Sequence, residues 1–379
     1  MKVSLTLPCS ARLEPLTYTT HPQFLIVGGL RIIEQWIIRA SEHEITYTGP
    51  EQELRRNDLI LRRLSIGELH LTKPDAEVNP CIVPNSANIR RVLAYVERGV
   101  NVRCGGEEVV KVAGSKDYVE DCGIELIKGV WDIVRINIDL LGETLNILSR
   151  IMGIKGPLIS IDSQLSGSVI LDYREGPIAV IGTVIDVPAY VRGPALIGPS
   201  TYIAPFTYVR QGTVTYGNVA ISGEVKNTIV DLGTRKEHLG YLGDSYVGKW
   251  VNFGAGTTVS NVKNTWGNVK YLGYDTGLRK MGPIIGDWVR TGINTSIMSG
   301  KSIGPGSHIY GLVPIDVPPF VIYDGYCGDM VEIDRGKLYE IIARSVNEDE
   351  ASYAVQVYDK TSSLRVNVKR GSYRIGCRQ

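Results

Sequence analysis

The sequence predicts a small α/β domain over residues 1–150, a parallel β-helix over residues 151–330 and a C-terminal extension over residues 331–379. Three observations predict it. A branched aliphatic residue recurs at every sixth position through the middle of the chain. Of the 42 glycines, 28 fall within residues 151–330, which marks a turn-rich architecture there. Residues 1–150 instead alternate short apolar runs with stretches of helical period.

In the first domain, Leu25-Ile26-Val27 reads as a short strand that ends at Gly28-Gly29. Residues 30–40 (LRIIEQWIIRA) carry apolar positions at helical spacing. Residues 86–98 (SANIRRVLAYVER) form an amphipathic helix pattern with Ser86 as the N-cap. Residues 129–150 predict another helix, leading into the repeat.

The repeat itself is plainest over residues 185–214, which divide into IDVPAY, VRGPAL, IGPSTY, IAPFTY and VRQGTV. The first positions are Ile185, Val191, Ile197, Ile203 and Val209. The fifth positions are Ala189, Ala195, Thr201, Thr207 and Thr213. The frame returns at Val247, Phe253 and Val259, and again at Ile285, Ile297, Ile303 and Ile309, with Thr291 as a polar member. No helix has this period, and an ordinary strand repeats every two residues. A six-residue period fits a short strand plus a turn, with one aliphatic side chain directed inward per face. Three faces make a coil of about 18 residues, and stacked coils bury a continuous aliphatic column. Glycines and prolines let the chain turn the corners. Two polar stretches break the frame, residues 222–246 and 260–284, and both predict loops leaving a rigid scaffold, where function concentrates. In the extension, residues 335–346 predict a helix, and the alternating runs VQVYD and LRVNV predict short strands.

Charge and composition exclude several classes. With 41 Lys and Arg against 40 Asp and Glu, nothing predicts an electrostatic hold on nucleic acid or an anionic membrane. A hydrophobic content of 43% supports a sizeable core. No apolar run of about 20 residues predicts a membrane span, and MKVSLTLPCSARLEP lacks the pattern of a secretion signal, so a cytoplasmic location is expected. The six cysteines include no C-x-x-C pair. They predict incidental thiols in a reducing cytoplasm, with neither a metal site nor a disulfide framework.

His238 is the leading candidate for chemistry. It is one of five histidines and sits in the first break, in KEHLGYLGD. An imidazole of near-neutral pKa can take a proton from an amine attacking a thioester. Glu224, in the same stretch, could orient it, and Arg210, Lys226 and Lys280 offer cations for phosphate oxygens.

The string EVKNTIVDLGTRKEHLGYLGDSYVGKWVNFGAGT resembles the hexapeptide-repeat enzymes that acetylate glucosamine-1-phosphate and then uridylylate it. Their acetyltransferase half carries E-x-K, H-L-x-Y-L-G-D and V-N-x-G-A-G-T, matched here by Glu224 and Lys226, by 238–244 and by 251–257. The resemblance implies a left-handed β-helix and an acyl-CoA-dependent N-acetyltransferase. It implies His238 as general base supported by Glu224, and Tyr241 and Asn252 on the sugar. It implies Arg210, Lys226 and Lys280 on the substrate, with the Ala255 backbone on the acyl-CoA arm. Acetyl-CoA is the implied co-substrate, an amino-sugar phosphate or nucleotide sugar the acceptor, and a homotrimer the assembly. The first domain resembles sugar nucleotidyltransferases through Arg12-Leu13-Glu14-Pro15-Leu16-Thr17, but Leu7-Pro8-Cys9-Ser10-Ala11 carries none of the glycines that let backbone approach nucleotide phosphates. Two alternatives follow. One is a sugar-1-phosphate nucleotidyltransferase, using Arg12 and Mg2+, with the β-helix as trimerisation device. The other is a non-catalytic trimer that senses a nucleotide sugar.

Overall fold

A computed structural model describes residues 1–40, 42–371 and 373. The chain divides into two compact units, Met1–Leu13 with Thr20–Lys155, and Glu14–Thr19 with Gly156–Gln379. Among the described residues no helix is long and apolar enough to cross a membrane.

The first unit is built on a six-stranded sheet. Its strand order is Glu44–Thr46, Lys2–Ser4, Ala76–Val78, Glu107–Val112, Asn101–Cys104, Tyr118–Glu120. The first three strands run parallel. Ile26–Val27 pairs antiparallel with Leu30–Arg31 around Gly28-Gly29, and the predicted helix begins after that hairpin, at Ile32–Arg39. Helix Ser86–Glu97 is capped by Asn85, whose side chain accepts from the Asn88 N–H, so Ser86 is the first helical residue and not the cap. Helix Val130–Ile151 buries Val130, Ile133, Leu141, Leu145 and Leu148 along one face.

The cysteines depart from expectation. Cys9 is bonded to Cys81 and Cys104 to Cys122, across Cα separations of 5.8 and 4.8 Å. Cys327 is also in a disulfide. The pairs lie 72 and 18 residues apart in sequence, and only the folded sheet brings them within bonding reach. Cys377 lies outside the described residues.

The second unit is a three-faced parallel β-helix. Each face is a ladder of parallel two- to four-residue strands, one per coil. On the first face Ala195 pairs with Thr213 and Ile284 with Ser302. On the second Val184 pairs with Tyr202, and on the third Ala189 pairs with Thr207. These are the 18-residue coils that the sequence lattice predicts. The aliphatic first positions point inward and form one core that runs from Ile178 to Tyr323.

The two breaks in the lattice behave differently. Residues 222–246 are a coil and not a protruding loop. Their strands Glu224–Lys226, Ile229–Val230, Arg235–Lys236 and Tyr241–Gly243 continue all three ladders. Val214 pairs with Ile229, a coil three residues shorter than the one before it, which shifts the frame while Val225, Val230 and Leu242 still point inward. The second break does leave the scaffold. Its neck is the antiparallel bridge Val262–Lys280, and it carries the hairpin Lys270–Tyr271 with Tyr274–Asp275.

Helices Arg335–Ser345 and Glu348–Lys360 follow the last coil. Leu338, Ile342, Ala351, Ala354 and Val357 cluster with Trp288 and Phe320. The runs expected as strands are helical instead. VQVYD lies within Glu348–Lys360, and LRVNV begins in the turn Ser362–Arg365. The three-residue spacing of Ala351, Ala354 and Val357 makes a buried helical face, which outweighs the local alternation.

Candidate active site

The third face carries Glu224, Lys226 and Tyr241, with Arg210 directly after its strand Thr207–Val209. Successive coils place Tyr208, Glu224 and Tyr241 in register. Adjacent parallel strands lie about 4.8 Å apart, so side chains one coil apart reach each other directly. Arg210 Nη1 donates to Glu224 Oε1 at 2.8 Å. Lys226 Nζ stands 3.6 Å from Asp244 Oδ2. Asp244 turns the next corner with φ of 50° and accepts from Asn227 Nδ2 at 2.9 Å.

Asn261 completes this cluster, and the sequence reading missed it. Its Nδ2 donates to Asp244 Oδ2 and to Tyr241 Oη, the latter at 2.9 Å. Asn261 opens the second break in the lattice, and its carbonyl accepts from the Met281 N–H at 2.8 Å, which holds the loop neck. A signal did exist. The first residue of a loop leaving a regular scaffold is the one that the scaffold still positions. Burial, with the nearby Asp244 and Glu224 charges, pushes the Tyr241 phenol up to about 12. Tyr241 therefore stays neutral at pH 7. Because Asn261 donates to its oxygen, its own O–H remains for a ligand.

His238 lies in the corner 237–240, between the second and third faces, and is exposed. Its imidazole has no hydrogen bond or ion pair among the described residues. Glu224 makes no hydrogen bond to it. The Arg210 guanidinium takes that carboxylate, one coil away, in a charge-assisted hydrogen bond. Ala255 occupies the equivalent corner one coil on, and its carbonyl accepts from the Asn294 N–H at 2.7 Å. Asn252 is exposed on the second face, bridging Arg235 and Arg290. Lys280 is exposed at the loop neck opposite Val262. Arg12 belongs to the first unit, where its backbone bridges Gly129. The structure thus gathers Arg210, Glu224, Lys226 and Tyr241 with Asp244 and Asn261 on one face. It sets His238 on the adjoining corner and leaves Asn252, Lys280 and Arg12 outside that bonded cluster.

In the first unit, ligands of parallel sheets bind beyond the carboxyl ends of the strands. There the segments leaving Lys2–Ser4 and Ala76–Val78 are joined by the Cys9–Cys81 disulfide. Asn79 Nδ2 reinforces the junction by donating to the Pro8 carbonyl at 3.0 Å.

No family model matches the chain. It is 34% identical over 205 residues to the bifunctional sugar-1-phosphate nucleotidylyltransferase/acetyltransferase of Sulfurisphaera tokodaii, a match covering 53% of this chain and 47% of that protein. It is 36% identical over 199 residues to the bifunctional protein GlmU of Methanocaldococcus jannaschii, covering 51% and 47%. The chain therefore spans about half the length of the curated relatives it matches. Among solved structures, the UDP-N-acetylglucosamine acyltransferase of Francisella novicida overlaps 57% of this chain and 91% of that chain, at 12% identity and a TM-score of 0.31. By sequence, over about half its length, the chain is similar to bifunctional sugar-1-phosphate nucleotidylyltransferase/acetyltransferases.

Proposed function

We propose that the chain is an acetyl-CoA-dependent N-acetyltransferase whose acceptor is an amino-sugar phosphate or nucleotide sugar. The observation that carries this reading is the third-face cluster of Arg210, Lys226, Tyr241 and Asn261 beside an exposed histidine whose ring has no bonded partner among the described residues. Arg210 and Lys226 hold the phosphate of the acceptor, with Glu224 and Asp244 as the carboxylates that position these cations in the free protein. Tyr241 and Asn252 orient the sugar, and Lys280 reaches the substrate from the loop neck.

The acceptor amine attacks the thioester carbonyl carbon. His238 takes the proton released as the C–N bond forms. The carbonyl oxygen becomes an oxyanion, and the N–H of Ala255 is the donor assigned to it. The intermediate collapses as the C–S bond breaks. The CoA thiolate leaves and is protonated by the imidazolium. No covalent enzyme intermediate is required, because the thioester is already activated.

Asn252 and Tyr241 stand on different faces of the prism. A homotrimer, with CoA in the groove between copies, would bring such faces to one ligand. Acetyl-CoA as donor agrees with a cytoplasmic location.

Nucleotidyl transfer in the first unit is the second reading, and Mg2+ would enter only with it. The Cys9–Cys81 bond ties together the segments leaving two parallel strands, at the end of the sheet where a nucleotide would bind, which supports placing the activity in the β-helix.

The test is to supply acetyl-CoA with a panel of amino-sugar phosphates and nucleotide sugars and follow free thiol. Release is expected with at least one acceptor, and His238→Ala should lower it at least about 100-fold. Release with none of them would sink the reading. Normal turnover by the purified variant would remove His238 from the mechanism. Pyrophosphate release from UTP or dTTP with a sugar phosphate would restore the second reading.

A further inference from the structure

The inward column of the second face runs Ile185, Ile203, Ile221 and then Lys236, each in register with the last. Lys236 is 2% exposed. An amine at an aliphatic position is costly unless it is hydrogen-bonded. Its Nζ donates to the Ser222 carbonyl at 2.7 Å and to the His238 carbonyl at 3.0 Å. Among the described residues no carboxylate is its partner, and burial pushes its pKa down to about 8. Packing does not explain this residue, since isoleucine fills the same position in three coils above. The two bonds do. Ser222 and His238 stand in corners of successive coils, and Lys236 ties one to the other from inside the prism. The corner carrying His238 has few other ties. The Gly240 carbonyl accepts from the Glu224 N–H at 3.3 Å, and between residues 237 and 239 the His238 carbonyl is the backbone group with a bonded partner.

We propose that Lys236 is a positioning residue, whose amine holds the His238 peptide from within the coil and so sets where the imidazole stands against the acceptor amine. The proposal rests on the reading of His238 as general base. A neutral amine keeps two N–H bonds, enough for both carbonyls, so the anchor works in either protonation state. Small displacements of a base cost much of the rate while leaving substrate binding nearly intact.

The test is Lys236→Met, which keeps the length of the side chain and fills the column with apolar atoms. The expected result is a kcat lowered about tenfold, with KM for acetyl-CoA and for the amino sugar each within about twofold of the parent. The unfolding midpoint should not fall. A kcat within about twofold of the parent would overturn the proposal. So would a loss of kcat that comes with a lower unfolding midpoint and raised KM for both substrates, because that pattern marks general damage to the coil. Lys236→Leu is read in the same way should the methionine variant fail to fold. His238→Ala separates the two levels of the argument. If it keeps full activity, the reading of His238 falls. If it is inactive while Lys236→Met turns over normally, only the anchor falls.

Discussion

At the scale of single residues, the site depends on which partner each charged group finds. Glu224 was legible as a candidate from the E-x-K pattern, yet its partner was not, because the pattern does not say that Arg210 stands one coil away. Asn261 shows the opposite case. It was invisible as a motif, and the fold makes it the residue that fixes both Tyr241 and Asp244. Asn261→Ala removes one hydrogen bond to each. A lost hydrogen bond to a positioned group is worth about 1–1.5 kcal/mol, so KM for the amino sugar should rise roughly tenfold. KM for acetyl-CoA should stay unchanged in the same steady-state measurement. An unchanged sugar KM would detach Asn261 from the acceptor subsite.

At the scale of elements, the β-helix tolerates coils of unequal length provided each face keeps an inward residue. The stretch 222–246 predicts a loop because the coil from Val214 to Ile229 is three residues short and the frame slips, although Val225, Val230 and Leu242 preserve the column. Its corner ends at Gly240, with φ of 131°, where an added Cβ would lie 2.1 Å from the Thr257 carbonyl oxygen. Only glycine lets the coils stack that closely beside His238. Polar groups also enter the stack. Lys249 is fully buried, with its Nζ 3.5 Å from Asp231 and 4.0 Å from Asp287, and both carboxylates are almost fully buried. Lys249→Met would leave two buried carboxylates without their shared cation. Breaking a buried ion pair on one side costs about 3–5 kcal/mol. Urea unfolding of the second unit should register that loss. A midpoint equal to the parent's would mean that other groups neutralise the acids.

At the scale of the whole molecule, the chain consists of a disulfide-linked α/β unit and a repetitive unit stabilised by stacked coils. The bonds Cys9–Cys81 and Cys104–Cys122 both lie within the first unit. Removing a native disulfide costs about 2–5 kcal/mol, so reductant should expose residues 20–155 to limited proteolysis before residues 178–323. Equal protection of both segments in reductant would show that the bonds contribute little. The sequence by itself determined the β-helix, because a period of six is incompatible with a helix or a flat sheet and each coil reports its own inward residue. It also singled out His238 as the candidate base, which stands in a motif of contiguous and closely spaced positions. Tertiary structure alone decided what depends on separation in sequence but closeness in space. That includes the cysteine pairs, the Arg210–Glu224 partnership, the capture of Tyr241 by Asn261 and the buried amine under the His238 corner. Local pattern records how a residue fits its own strand or turn. Which neighbour satisfies its charge or hydrogen bond is set by the coil stacked above or below, and that register appears only when the chain is folded.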